Sequence, residues 1–342
     1  MIRERVKTLR AGIGTLLAVG AAICIVTVMP AAPQNAALPL AGILGPDSKI
    51  AFHGDREGRD NPDEIYVMSA DGSGERRVTP TTDACNAINP RWSPNGHRIA
   101  FHCSIEPVFS EIYLIDADGT GMTQLTNMTP AGLGAAFASW SPKGNKIAFS
   151  SALSPNIYVV DVDERVVTQL TSFACGANRP DWSPDGRKLV FNSVRSSQCP
   201  FPPQVYVVED IDHPDVAVRL TFTGTNRAAR WSPDGSKITF ESNRDNNFEI
   251  YVMNADGSAQ LRLTEFPRMD SVPSFSPDGN WIVFHRQLFI IDGLEPPNGS
   301  DLFAVRADGS EIVQLTIQAP GSFSSFASWA PGVLRPAERA ER

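Results

Sequence analysis

Residues 231–264 read WSPDGSKITFESNRDNNFEIYVMNADGSAQLRLT, and this stretch decides the fold because the rest of the chain repeats its order of motifs. Its opening anchor, Trp-Ser-Pro-x-Gly, recurs at Trp92, Trp140, Trp182 and Trp231, becomes Phe-Ser-Pro-Asp-Gly at Phe275, and fades to Trp-Ala-Pro-Gly at Trp329. Successive anchors lie 42 to 54 residues apart. A short apolar strand follows each of the first five: Ile99-Ala100-Phe101, Ile147-Ala148-Phe149, Leu189-Val190-Phe191, Ile238-Thr239-Phe240 and Ile282-Val283-Phe284, with Ile50-Ala51-Phe52 as a sixth copy. A second apolar strand comes next in every unit, from Ile65-Tyr66-Val67 to Leu302-Phe303-Ala304. Most units then turn at Asp-Gly, as at Asp71, Asp118, Asp256 and Asp308, and all end in Leu-Thr or Val-Thr, at Thr79, Thr126, Thr171, Thr221, Thr264 and Thr316.

Each motif has a physical reason. Ser-Pro-Asp-Gly suits a type I turn, with proline fixing φ at the second corner and glycine at the fourth. Asp-Gly suits the next hairpin. The strands are apolar without alternation, so both faces of each small sheet must be covered, which stacked blades around a ring accomplish. Four short strands at this period indicate a propeller, not a helical solenoid. The first unit begins at its turn, Gly45-Pro46-Asp47-Ser48, with no innermost strand of its own, while Phe326-Ala327-Ser328-Trp329 has no unit after it. The expected fold is therefore all-β: a six-bladed β-propeller of four-stranded antiparallel blades, closed by the C-terminal strand pairing into the first blade. Closure removes the sheet edges that would otherwise aggregate.

The ends carry other information. Residues 1–10 are basic and residues 11–29 form an uncharged apolar run ending at Pro30. This pattern is an export signal, and an uncleaved membrane anchor through residues 11–29 is the alternative. Ile23 before Cys24 argues against lipidation. The expected organisation is 1–30 signal or anchor, 31–44 linker, 45–332 propeller and 333–342 charged tail. The product is expected in the periplasm or secreted, as a monomer. A net charge of −8 with no basic stripe argues against nucleic acid.

The ordered set Trp-Ser-Pro-Asp-Gly, Ile-Ala-Phe, Ile-Tyr-Val-Met, Ala-Asp-Gly and Arg-Leu-Thr resembles the repeats of the TolB propeller over residues 45–332. That resemblance implies a periplasmic protein-binding platform of the cell envelope, non-enzymatic and without a cofactor. Only residues 31–44 separate the signal from the first blade, so the family's separate N-terminal α/β domain is expected to be absent. The same repeats resemble propellers attached to prolyl oligopeptidases, but no Gly-x-Ser-x-Gly elbow is present. The alternative function is a hydrolase or lyase acting on a carbohydrate or lactone at the channel mouth. It would need channel acids, and the innermost strands offer Asp181 beside Arg91, Arg179 and Arg230.

His53, His102 and His285 each follow the phenylalanine of the first apolar strand, so they are equivalent in three adjacent blades. Packed sheets lie roughly 10 Å apart, too far for one shared metal. Inter-blade hydrogen bonding is the expected role, and no metal is expected. Arg56, Arg195 and Arg244 are also equivalent and are expected to pair with Glu64 or Glu249, or else to meet an anion or a partner. Four cysteines lie in the exported part, where oxidation is favoured. Cys85 and Cys175 each precede their anchor tryptophan by seven residues, and Cys103 and Cys199 follow the next strand of the same blades. The disulfides Cys85–Cys103 and Cys175–Cys199 are expected over the two other pairings.

In a four-stranded meander the Ser-Pro-x-Gly and Asp-Gly turns share one side, and the long, varied connections share the other. Recognition tends to sit on varied loops over a rigid scaffold. A protein-binding face is therefore expected there, with Asp55, Arg56, Arg59, Asp60, Arg195, Arg244, Asp245, Arg268, Asp270 and Arg286 as its candidate contacts.

Overall fold

Each anchor residue ends an innermost strand: Asn86–Trp92, Ala136–Trp140, Ala177–Trp182, Asn226–Trp231, Asp270–Phe275 and Phe323–Trp329. The computed structural model describes residues 48–56, 62–80, 85–106, 109–151, 154–197, 199–214, 216–288, 299–317 and 322–331. The expected signal, linker and charged tail lie outside these residues, as do Arg59 and Asp60. The described strands form six four-stranded antiparallel sheets. Five are simple meanders in chain order, blades 2 to 6. In blade 1 the C-terminal strand Phe323–Trp329 pairs with Lys49–Asp55, so the two ends of the repeat complete one blade.

The absence of alternation in the strands is explained by where the core sits. Six buried clusters occur, each built from two neighbouring blades. One joins Ile50, Phe52 and Tyr66 of blade 1 to Trp281, Val283 and Leu302 of blade 6. Within each blade the phenylalanine of the second strand stacks on the aromatic residue of the third. The pairs run from Phe240–Tyr251 at 5.6 Å between ring centroids to Phe101–Tyr113 and Phe284–Phe303 at 6.0 Å.

The turns and the Leu-Thr ends fasten this frame. In the Ser-Pro-x-Gly turns the glycine sits at φ +71° to +74° and its N–H returns to the serine carbonyl. A Cβ on Gly144 would lie 3.6 Å from Pro94 of the preceding blade, and the same contact recurs from Gly96 against Pro331 to Gly279 against Pro233. The tight-turn side is thus a ring of proline-on-glycine contacts. At the outer strand, each threonine hydroxyl accepts a backbone N–H from the first half of the third strand, at 2.9–3.0 Å. The same hydroxyl donates to the side chain of the residue before that N–H: Glu64, Glu111, Asn156, Gln204, Glu249 or Asp301. A hydroxyl suits this position because one group must both accept and donate.

Both expected disulfides form. Cys85 joins Cys103 and Cys175 joins Cys199, with Cα atoms 5.4 Å and 5.2 Å apart.

Candidate functional site

The channel is built from one device used around the ring. Three residues before each anchor, the innermost strand enters the left-handed region at Asn89, Phe137, Arg179, Ala228, Val272 and Phe326, with φ between 50° and 59°. The pairing register slips by one residue there in all six blades, opposite the phenylalanine of the second strand. These are β-bulges, and a non-glycine residue in this conformation costs about 1–2 kcal/mol. Sixfold recurrence makes the strain a property of the architecture rather than of one reactive residue.

The residue after that phenylalanine supplies an acceptor for the bulged N–H of the next blade. Asn89 N–H donates to His53 Nδ1 at 3.4 Å, Phe137 to His102 Nδ1 at 3.5 Å, and Arg179 to Ser150 Oγ at 2.8 Å. Ala228 donates to Asn192 Oδ1 at 3.4 Å and Val272 to Glu241 Oε2 at 2.7 Å. Two of the three equivalent histidines therefore play the expected inter-blade role. At the sixth junction His285 Nδ1 is buried without a hydrogen bond among the described residues, and its ring stacks on Phe326 at 5.7 Å. Only a neutral imidazole can accept through nitrogen. Burial lowers all three histidines, His53 well below the ordinary value, His102 to about 3 and His285 to about 4.

A second set of channel residues immediately precedes the anchors. Ser139 Oγ accepts Trp182 N–H at 3.2 Å, and Asp181 Oδ2 accepts Trp231 N–H at 3.0 Å. Arg230 of blade 5 reaches Asp181 at 3.2 Å, and Arg91 of the opposite blade 2 reaches the same carboxylate at 3.8 Å. Blades 2 and 5 face each other across a ring of six, so the carboxylate that their arginines share is drawn toward the axis. Burial raises Asp181 to about 6, against Arg91, the Trp231 N–H and Ser139, which all pull it down. Arg179 also crosses the channel, its guanidinium 4.6 Å from the Phe137 ring and 5.4 Å from the Phe326 ring.

These shifts predict acid lability. A histidine lowered on folding stabilises fully above its unfolded value near 6.5 and loses that contribution as pH falls toward its folded value. Three histidines act in this sense. Asp181 and Asp63, both raised to about 6 by burial first, act oppositely: they bind a proton in the fold between pH 6 and about 4, which stabilises as pH falls. Asp270, also raised by burial, adds to that opposition, so the histidine contribution, at most about 1.4 kcal/mol per pH unit for each group, is partly offset below pH 6. As pH falls from 6.5 to 4, the melting temperature of the double variant His53→Gln, His102→Gln, whose amides accept the same N–H groups without titrating, should fall less than that of the wild type. An unchanged slope would place the acid sensitivity elsewhere.

The loop side looks different from its sequence reading. Arg56 pairs with Glu75 at 2.7 Å instead of Glu64, donates to Phe323 O and Ser324 Oγ, and lies over the Phe52 and Tyr66 rings. Arg244 donates to Ser242, Gln260 and Asn226 and lies over Phe240 and Tyr251, without pairing to Glu249. The physical reason is that Glu64 and Glu249 are already held by Thr79 and Thr264, whereas the stacked aromatic pair of each blade offers a cation a face. Arg286 completes a buried bidentate pair with Asp270 at 2.6 and 2.7 Å and lies over Phe266. Asp55 is buried and Arg268 half-buried. Asp245 is exposed and accepts the Tyr251 hydroxyl, and Arg195 is exposed on the loop that Cys175–Cys199 braces. Two exposed aromatic residues went unread: Phe201, 71% exposed, and Phe222, 69% exposed. Their loops are tied together by Gln204 Nε2 donating to Gly224 O at 2.7 Å and Asn226 N–H to Pro203 O at 2.8 Å.

Comparison with known proteins agrees with this architecture. The crystal structure of TolB from Acinetobacter baumannii superposes with a TM-score of 0.68 at 24% identity, covering 83% of this chain and 67% of that one. A crystal structure of a nidogen/laminin complex matches at TM-score 0.63 and 11% identity, covering 83% of this chain and 99% of that one. At these identities the likeness is one of fold. An uncharacterized protein of Agrobacterium fabrum is 32% identical over 80 residues, 23% of this chain, and the match spans only 25% of that relative's length. The TolB beta propeller domain family matches residues 47–213 and 201–332, and the chain belongs to that family.

Proposed function

We propose that this chain is an exported, non-enzymatic propeller that binds a protein partner in the cell envelope through its varied-loop side. The observation that carries the reading is the contrast between the two sides of the disc. One side is built mostly of tight turns with proline packed on glycine, the longer connection between Val205–Val208 and Ala217–Arg219 being its exception. The other presents Phe201 and Phe222, with Arg195, on loops braced by a disulfide and by hydrogen bonds between them, and the 88% exposed Ile317 after the outer strand of blade 6. Exposed aromatic residues on preorganised loops are what binding hot spots use, because little ordering cost is added on contact. Two disulfides and the basic-then-apolar start support a periplasmic or secreted location. The TolB resemblance supports the platform role. The hydrolase or lyase alternative asks for an uncommitted channel acid, whereas Asp181 and Glu241 both hold arginines and backbone N–H groups.

The internal contacts of Arg56 and Arg244 alter the test of this face, since reversing their charge would also loosen the blades. The suitable variants are Phe201→Ser with Phe222→Ser, and Arg195→Glu. Capture of the partner by the immobilised exported protein should fall by about tenfold or more in the phenylalanine pair, at an unchanged melting temperature. Substitutions at the tight-turn residues Asp118 and Asp256 should leave capture intact. The reverse pattern would move the binding face to the other side.

A further inference from the structure

We infer that the central channel is a binding site for a small carboxylate, gripped by the guanidinium of Arg179. The first ground is charge. The whole chain carries −8, yet the channel gathers Arg91, Arg179, Arg227 and Arg230 against Asp181 and Glu241 alone among the acids paired there. Two positive charges are left without a counter-charge in a surrounding that disfavours them, and burial lowers Arg91 and Arg179 accordingly, Arg91 to about 10. An anion is the ligand that relieves this.

The second ground is unpartnered donors. Arg230 is 8% exposed and its Nε is buried with no hydrogen bond among the described residues, and Arg91 Nη2, 3.8 Å from Asp181, is buried there without one. Arg179 donates only its backbone N–H among the described residues, to Ser150 Oγ and Asn178 Oδ1; its guanidinium donates to nothing there. The third ground is shape. Phe137 and Phe326 lie within 4.6 and 5.4 Å of the guanidinium of Arg179 and offer it no acceptor, so its N–H groups remain for one. A planar pair of oxygens meets a guanidinium edge with two parallel hydrogen bonds, which is the geometry of a carboxylate. His102 and His285, close enough to feel the charge of Arg179, and His53 beside them are kept neutral by burial and add no negative charge. The left-handed backbone at Arg179, set by the bulge, is what turns this side chain into the ring.

The site is tested on the whole exported protein with sodium acetate, sodium phosphate and sodium chloride at matched ionic strength. Calorimetry should give saturable acetate binding, and Arg179→Gln should weaken it about 10- to 100-fold, the loss of a charge-assisted hydrogen-bonded pair. Arg179→Lys, which keeps the charge but loses the fork, should also weaken it. Equal effects of all three salts would overturn the site, and so would an Arg179→Gln protein that still binds. Saturation by phosphate but not acetate would overturn the carboxylate assignment. Should the variants fail to fold, the wild-type arginine Nε–H resonances decide: acetate should shift at least one, and no shift would overturn the proposal.

Discussion

Truncation after Thr316 is expected to abolish folding of the entire ring, although it removes only one described strand. Phe323–Trp329 pairs with Lys49–Asp55 from Ile50 opposite Trp329 to Asp55 opposite Phe323, so its loss leaves the second strand of blade 1 as a bare edge. The loss spreads through packing. Ala327 and Trp329 share a buried cluster with Trp281, Val283 and Leu302 of blade 6, and Ser324 O accepts the hydroxyl of Ser300. Arg56 loses both its Phe323 and its Ser324 acceptors. A ring opened at one blade exposes two sheet edges, which invites aggregation. The truncated chain should express as insoluble material, and a peptide spanning 318–332 added during refolding should recover soluble protein. A soluble, cooperatively melting truncation would refute closure by this strand. A graded version uses Gly54→Ala: a Cβ there would sit 2.2 Å from Phe323 O, so the paired strands must separate to admit it. That variant should lose several kcal/mol, in the range of about 2–4.

The parts of this molecule that could be read in advance are those whose cause is local. Ser-Pro-x-Gly, Asp-Gly and Leu-Thr each carry their turn or bond within a few residues, so the blades and their closure could be counted from the chain. The disulfides were legible because two loops of one blade must share a side. The bulges were not. Left-handed backbone falls on Asn89, Phe137, Arg179, Ala228, Val272 and Phe326, residue types with nothing in common, and only their fixed distance from the anchors marks them. The acceptor after each phenylalanine was noticed where it is histidine, but Ser150, Asn192 and Glu241 do the same work with different chemistry. Arg56 and Arg244 were assigned the wrong acids because their partners are set by the stacked rings beneath them, a contact that no sequence spacing encodes.

Removing Asp181 is expected to be the most damaging single side-chain change in the channel. Its carboxylate accepts the Trp231 N–H, the Ser139 hydroxyl and Arg230, and faces Arg91 across the axis. Asp181→Ala leaves two buried guanidinium groups without a counter-charge and a backbone N–H without an acceptor. Breaking a buried pair in this way costs about 3–5 kcal/mol, which for a domain of this size lowers the melting temperature by roughly 10 °C. Asp181→Asn separates the contributions, since its amide oxygen can still take the Trp231 N–H while the charge is gone; its loss should be smaller but still above 1 kcal/mol. The triple change Arg91→Met, Asp181→Leu, Arg230→Met should recover most of the stability, because a buried charge cluster exchanged whole for apolar side chains of similar size is often neutral or stabilising. If the triple variant melts well above Asp181→Ala, the cluster is present for what the channel binds and not for holding the ring together. If instead the triple variant is the least stable of the set, the charges are structural and their arrangement in the channel needs no ligand to explain it.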